Sequence, residues 1–324
     1  MQPPPEFPAP DAPAPISVTD PIGKAFEHTK RMLFPFDAGK WFTLGFVAFL
    51  ATLGEGGGST FQVPDTGGSG RGGSPLNPVI QFVRDNLELV ITLGIVVVVL
   101  GVALGIALLW VSSRAKLMFI DCIANDRAAV EEPWRRFKEK GSRLFRIRLV
   151  LALIGFPLVF GAIALGVVLA WSDITAGRFG SGALLGLLLG GGILVLVSLV
   201  LGVASAIVED FVAVALYLHD EPVKEAWQRV KTELFAGRAG TIVVFYVMKF
   251  LLGIGVGVLA TIGTCLTCCI AALPYLGTVI LLPLFVFTRA YVMYFIDQFG
   301  PAWRLFPEPE PAPWQSGFAP PPAA

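Results

Sequence analysis

Two kinds of residue in this chain have the type and spacing to do chemistry: charged groups set inside apolar stretches, and a cluster of cysteines. Lys249 heads the first kind, about eight residues into the apolar stretch 241–262. An ionisable group at that depth costs about 3 kcal/mol on insertion scales, so it marks a functional site unless its long stem carries the charge back to the surface. Glu209 and Asp210, at the end of the preceding apolar stretch, are the acidic residues nearest to it in topology. A carboxylate there would offset part of the cost and hold the amine charged. Lys249, Glu209 and Asp210 therefore form the candidate polar site. Arg289 lies closer to the end of its own stretch, where reaching the surface or pairing with Asp297 is easier.

The remaining reactive types point to less. The chain has two histidines, His28 and His219. His219, Asp220 and Glu221 are adjacent in one loop, and adjacent loop residues seldom converge on one ion. Cys265, Cys268 and Cys269 form a CxxCC cluster. It reads as helix packing, as a disulfide in an oxidising compartment, or as zinc ligands if a fourth comes from elsewhere. No HExxH, GxSxG or Walker A pattern occurs, and the runs GEGGGST and GGSGRGGS read as flexible linker. The expectation is a non-enzyme with no metal and no cofactor.

The elements that must position these residues follow from composition. Apolar residues make up 55% of the chain and charged ones 15%, where a soluble domain carries about 25% charged. The formal net charge of zero provides no global field for nucleic acid, so none is expected as a partner. Six apolar stretches, near 38–54, 88–112, 147–171, 183–208, 241–262 and 275–296, predict an all-α polytopic bundle of six membrane spans. The first is short enough to be re-entrant. Proline-rich tails at 1–19 and 301–324 are expected to be disordered and flank a membrane domain over 20–300. The N-terminal tail lacks an apolar signal region, so the first apolar stretch is expected to act as an uncleaved insertion signal.

Basic residues set the orientation. Lys24, Lys30, Arg31 and Lys40 precede the first stretch, whereas the next connection carries only Arg71 and Arg84. Ten basic residues lie between Arg114 and Arg148, one (Arg178) in the following loop, and Lys224, Arg229, Lys231 and Arg238 in the next connection. The alternation predicts both termini on the cytoplasmic side of the cell membrane.

The basic connections also resemble one another. IGKAFEHTKRMLF at 22–34 aligns without gaps on VKEAWQRVKTELF at 223–235, and VEEPWRRFKEKGSRLF at 130–145 matches with about three extra residues. Phe26, Trp134 and Trp227 then share one position. Each copy precedes two apolar stretches, which predicts three repeats of an amphipathic helix plus a transmembrane hairpin, at about 22–113, 130–208 and 223–296. The three aromatics are candidate interfacial anchors. Their helices read as a structural collar on the bundle, or as a surface for lipid or a protein partner, which the tails also offer.

The EAW-x3-K-x2-LF helix, the repeated helix-plus-hairpin unit and the acidic span ends (Asp121, Glu209-Asp210, Asp297) resemble a bacterial and archaeal membrane-domain superfamily. It includes the membrane region found beside some glycerophosphoryl diester phosphodiesterases. The resemblance covers about residues 20–300 and implies a polytopic helical fold. That enzyme's catalytic barrel has no counterpart in this chain. Three roles are compatible with these features. A lipid-associated scaffold or regulatory module leads, a small transporter or channel using Lys249 follows, and a membrane-embedded enzyme is disfavoured by the missing catalytic groups.

Overall fold

The computed structural model describes residues 16–53, 86–176, 178–267 and 273–306. Among these residues every regular element is helical. Helix α1 spans Asp20–Leu33 and opens with Pro21 in its first turn, where a missing N–H costs nothing. Asp20 at its start and Lys30 and Arg31 at its end match the helix dipole. Its buried face carries Ala25, His28, Thr29 and Met32, spaced three or four apart. Helix α2 spans Ala38–Thr52, and its Asp37 cap accepts a hydrogen bond from the Lys40 N–H at 3.2 Å.

Helix α3 runs over Leu87–Ala124, the short α4 over Glu131–Arg136, and α5 over Lys138–Thr175. Helix α6 is continuous over Ser181–Leu218, with π turns at Gly186–Gly191 and Val208–Val212. Helix α7 begins at Val223–Arg229 and continues through a π turn at Val230–Phe235. Helix α8 spans Ala239–Leu266, α9 Pro274–Ile280 and α10 Leu282–Asp297.

Four helices, α3, α5, α6 and α8, are long and apolar enough to cross a membrane. The other two stretches expected to span take different forms. Helix α2 has 15 residues, about 22 Å of rise against about 30 Å of hydrocarbon. The last stretch breaks at Leu281 into α9 and α10. Pro283 accounts for the break, since it has no N–H to offer the preceding turn and restricts Leu282 before it.

Packing is concentrated at one end of the bundle. The buried core draws Met32 and Leu33 from α1, Ala115–Ala124 from α3, Phe211–Leu216 from α6 and Ala290–Ile296 from α10, with Tyr294 only partly covered. Along the rest of α3, Ile95 through Leu100 are all exposed, and Leu153 on α5 and Val195 on α6 are likewise bare. Apolar surface of that extent is a liability in water and ordinary against lipid. The hairpin of α5 and α6 closes tightly because both helices are glycine at the crossing. A Cβ on Gly186 or Gly190 would strike the backbone of Gly166. At its turn, Asp173 accepts from the Ala183 N–H at 2.8 Å.

Parts of the expected tails pack against the bundle. Ser17 donates its N–H to Gln298 at 2.8 Å, and Trp303 is buried with Nε1 donating to Glu233 at 2.8 Å. The rest of the tails, the glycine-rich connection, and Cys268 and Cys269 lie outside the described residues.

Candidate functional site

The polar site is built from five helices at a common depth. Lys116 on α3, Asp210 on α6 and Arg289 on α10 each lie about two turns inside the packed end of their helix. Arg148 on α5 and Lys249 on α8 lie nearly three turns in. Because these helices pack side by side, residues at one depth meet. Glu209 and Asp210 fall in the π turn Val208–Val212 of α6. Neighbours on an α-helix point about 100° apart, and the wider π turn narrows that angle. Both carboxylates thereby face the same cluster of cations.

The pairing is specific. Lys249 Nζ donates to Asp210 Oδ2 and lies over the Tyr246 ring at 6.0 Å. The second Asp210 oxygen is 3.7 Å from Arg289 Nη1. Lys116 Nζ is 2.7 Å from Glu209 Oε1, and Arg148 Nη2 reaches the same oxygen at 3.3 Å. Arg289 also donates both terminal nitrogens to the Glu209 main-chain carbonyl, at 3.0 and 3.1 Å. Arg148 Nη1 donates to Ser112 and Ser113, and Ser112 passes a hydrogen bond to the Ala51 carbonyl at 2.7 Å. The cluster thus ties α2, α3, α5, α6, α8 and α10 together.

A cavity of about 280 Å³ opens onto these charges. Its polar wall is Lys116, Glu209, Asp210, Lys249, Thr288 and Arg289, and its apolar wall comes largely from α2 and α10. Burial matters here because each desolvated charge costs several kcal/mol unless paired and hydrogen-bonded. Asp210 is almost fully buried, while Lys249 retains about a third of its side-chain exposure.

The structure therefore brings Lys249, Glu209 and Asp210 together. It adds three partners that the sequence reading had left elsewhere. Lys116 and Arg148 counted only as basic residues near connections. For Arg289 the sequence offers the surface or Asp297, yet Arg289 and Asp297 lie eight residues apart on one helix, about 12 Å along its axis. Asp297 instead accepts from the Leu305 N–H at 2.7 Å. A charge sitting two to three turns inside a helix end was the available signal for all three.

A second buried carboxylate, Asp121, closes the end of α3. It takes two hydrogen bonds from Arg127, at 2.7 and 3.1 Å, and others from Tyr217 and Asn125. These contacts hold the Arg127 guanidinium above its ordinary range.

The three aromatic anchors differ in surroundings. Trp134 packs with Trp110 around Arg114, whose guanidinium carbon lies 4.6 Å from both ring centres. Phe26 and Trp227 are exposed, at 60% and 41%. The histidine loop disperses: His219 meets Trp303 edge-on, Asp220 pairs with Arg143 and Glu221 with Arg229. The bond from Arg229 holds the Glu221 carboxyl below its ordinary range. Among the described residues no three His, Cys, Asp or Glu side chains are grouped to hold a metal ion. Cys122 is buried and Cys265 exposed, and both are free thiols.

The family comparison bears on the whole unit. Residues 16–303 match the model of a family of unknown function, DUF7544. The chain belongs to this family. The match takes in all the helices and the complete polar cluster, so the cluster lies within the unit the family defines. Neither a curated protein nor a solved structure matched the chain. The resemblance to the phosphodiesterase-associated membrane region rests on the motifs alone, and the family match neither adds to it nor subtracts from it.

Proposed function

We propose that this protein is a non-enzymatic, lipid-associated module of the cell membrane, acting as a scaffold or regulator. In this reading six segments enter the bilayer, arranged as three copies of an amphipathic helix followed by a hairpin, with both termini in the cytoplasm. The carrying observation is the division of the molecule into a packed end and four long helices with bare apolar flanks. The polar cluster joins the two parts and fixes how the helices enter the packed end. Helices α1, α4 and α7 supply the surface for a protein partner. The test is purification of the full chain in mild detergent with identification of copurifying lipids and proteins. Recovery in the soluble fraction after gentle lysis, without detergent, would overturn the reading.

One observation favours a second reading, a small transporter or channel. Lys249 and Asp210 line an open cavity rather than a sealed core. Ionisable residues facing a cavity within a bundle mark ion and proton pathways. In proteoliposomes this reading expects flux of a small ion or proton that Asp210→Asn abolishes. Equal flux in wild type, variant and empty vesicles would remove it.

A further inference from the structure

A groove of about 660 Å³ lies outside the polar cluster, between the early turns of α5 and the start of α7. Arg143, Arg146 and Lys224 line it, with Glu225 as the one acidic lining residue. Ile147, Val150 and Leu151 supply apolar lining from α5. The volume falls within the usual range for small-ligand sites of roughly 300–1,000 Å³. We propose that this groove seats the headgroup of an anionic phospholipid, with the acyl chains descending along α5.

Three observations point to that occupant. The first is charge. Arg143 is held in place by Asp220 at 3.0 Å and by the Glu221 carbonyl at 2.9 Å, which orients its guanidinium at the rim. Arg146 and Lys224 are exposed and form no ion pair among the described residues. With Arg143 matched by Asp220, Arg146 and Lys224 against Glu225 still leave the groove net positive. A guanidinium fork and an ammonium suit phosphate oxygens.

The second observation is the order of residues along α5. Arg143, Ile147 and Val150 share one helical face, and so do Arg146, Val150 and Leu153. Each sequence runs from a cation to an apolar side chain further from the helix start. Val150, Leu153 and Ile154 are all exposed, at 54%, 72% and 50%. A free phosphate would use only the cationic end. A phospholipid uses both, with its charge at the cations and its chains along the bare apolar face.

The third observation is position. The groove opens where α5 leaves the packed end and its apolar flank begins. On the bilayer reading proposed above, on which this inference rests, that level is the headgroup layer. Basic residues placed there attract anionic lipid.

The experiment is native mass spectrometry of the full chain in mild detergent, titrated with phosphatidylglycerol or with phosphatidylcholine. One tight phosphatidylglycerol adduct is expected. The Arg146→Gln/Lys224→Gln variant should weaken it about thirtyfold, while Arg135→Gln/Lys138→Gln, likewise exposed but outside the groove lining, should leave it unchanged. Equal weakening by both pairs would reduce the effect to diffuse charge and overturn the proposal. So would equal binding of the two lipids, or equal displacement of the lipid by inorganic phosphate at matched concentration. An unchanged gel-filtration profile shows that the variants are folded. Failure of the bilayer reading would be seen separately, as recovery of the chain in the soluble fraction without detergent.

Discussion

The Lys249 ammonium on α8 rests on the carboxylate of Asp210, 39 positions earlier on α6. Both line the cavity, but Asp210 is almost fully buried and Lys249 about a third exposed. The asymmetry makes their substitutions unequal. Asp210→Asn leaves Lys249 without its counter-charge and weakens the hold on Arg289, and should cost about 3 kcal/mol or more. Lys249→Met removes the partly exposed partner and leaves Asp210 its contact with Arg289, and should cost about 1–2 kcal/mol. The double variant should be more stable than the sum of the two losses, by about 1 kcal/mol or more. Thermal unfolding in detergent of all four proteins measures this, and strict additivity would show that the contact carries no coupling.

The pH dependence of stability should carry a contribution from His28. Burial first, then the neighbouring Arg31, push its pKa below the ordinary 6.5. Its Nε2 lies 3.1 Å from the Ile123 carbonyl and Nδ1 3.0 Å from the Tyr294 hydroxyl, an arrangement suited to the neutral ring. In the unfolded chain His28 takes up a proton near pH 6.5, and in the folded chain only at lower pH. The unfolded state therefore binds more protons in that window, and the contribution is present above pH 6.5 and lost as pH falls below it. His219 is lowered in the same direction, mainly by burial. The unfolding temperature should fall as pH drops from 6.5, and His28→Gln should flatten part of the slope. An identical slope in the variant would place the effect elsewhere.

The glycine crossing of α5 and α6 should tolerate no side chain. Gly190→Val forces its Cβ into the Gly166 backbone and should cost about 1–3 kcal/mol. Gly192, two residues on, has open space around it, so Gly192→Ala should be neutral or slightly stabilising. Similar unfolding temperatures for the two variants would show that the hairpin does not need its close contact.

Orientation is open to chemical labelling. In a background with the native cysteines replaced, Asp65→Cys should react with an impermeant maleimide in intact cells. Arg135→Cys should react only after permeabilisation. Reaction of both from the same side would end the six-segment arrangement.

The sequence by itself determined the class of this molecule and the location of its long helices. Runs of apolar residues such as IVVVVLGVALGIALL in α3 need no partner to declare their state, because backbone bonding and side-chain hydrophobicity act locally. It also singled out Lys249, Glu209 and Asp210, because a charge inside an apolar run is anomalous wherever the run finally packs. Only the tertiary structure decided which cations join them. Lys116, Arg148 and Arg289 belong to three other helices, and their meeting depends on equal depth, helix adjacency and the π turn that aims both carboxylates inward. The last apolar stretch reads as one run in sequence, and its division at Leu281 before Pro283 emerges only in the structure. Trp134 shows the same limit from the other side. Its repeat position matches that of Phe26 and Trp227, yet it alone finds Arg114 and Trp110, because aromatic pattern sets a helical face while the neighbouring helix decides what that face meets.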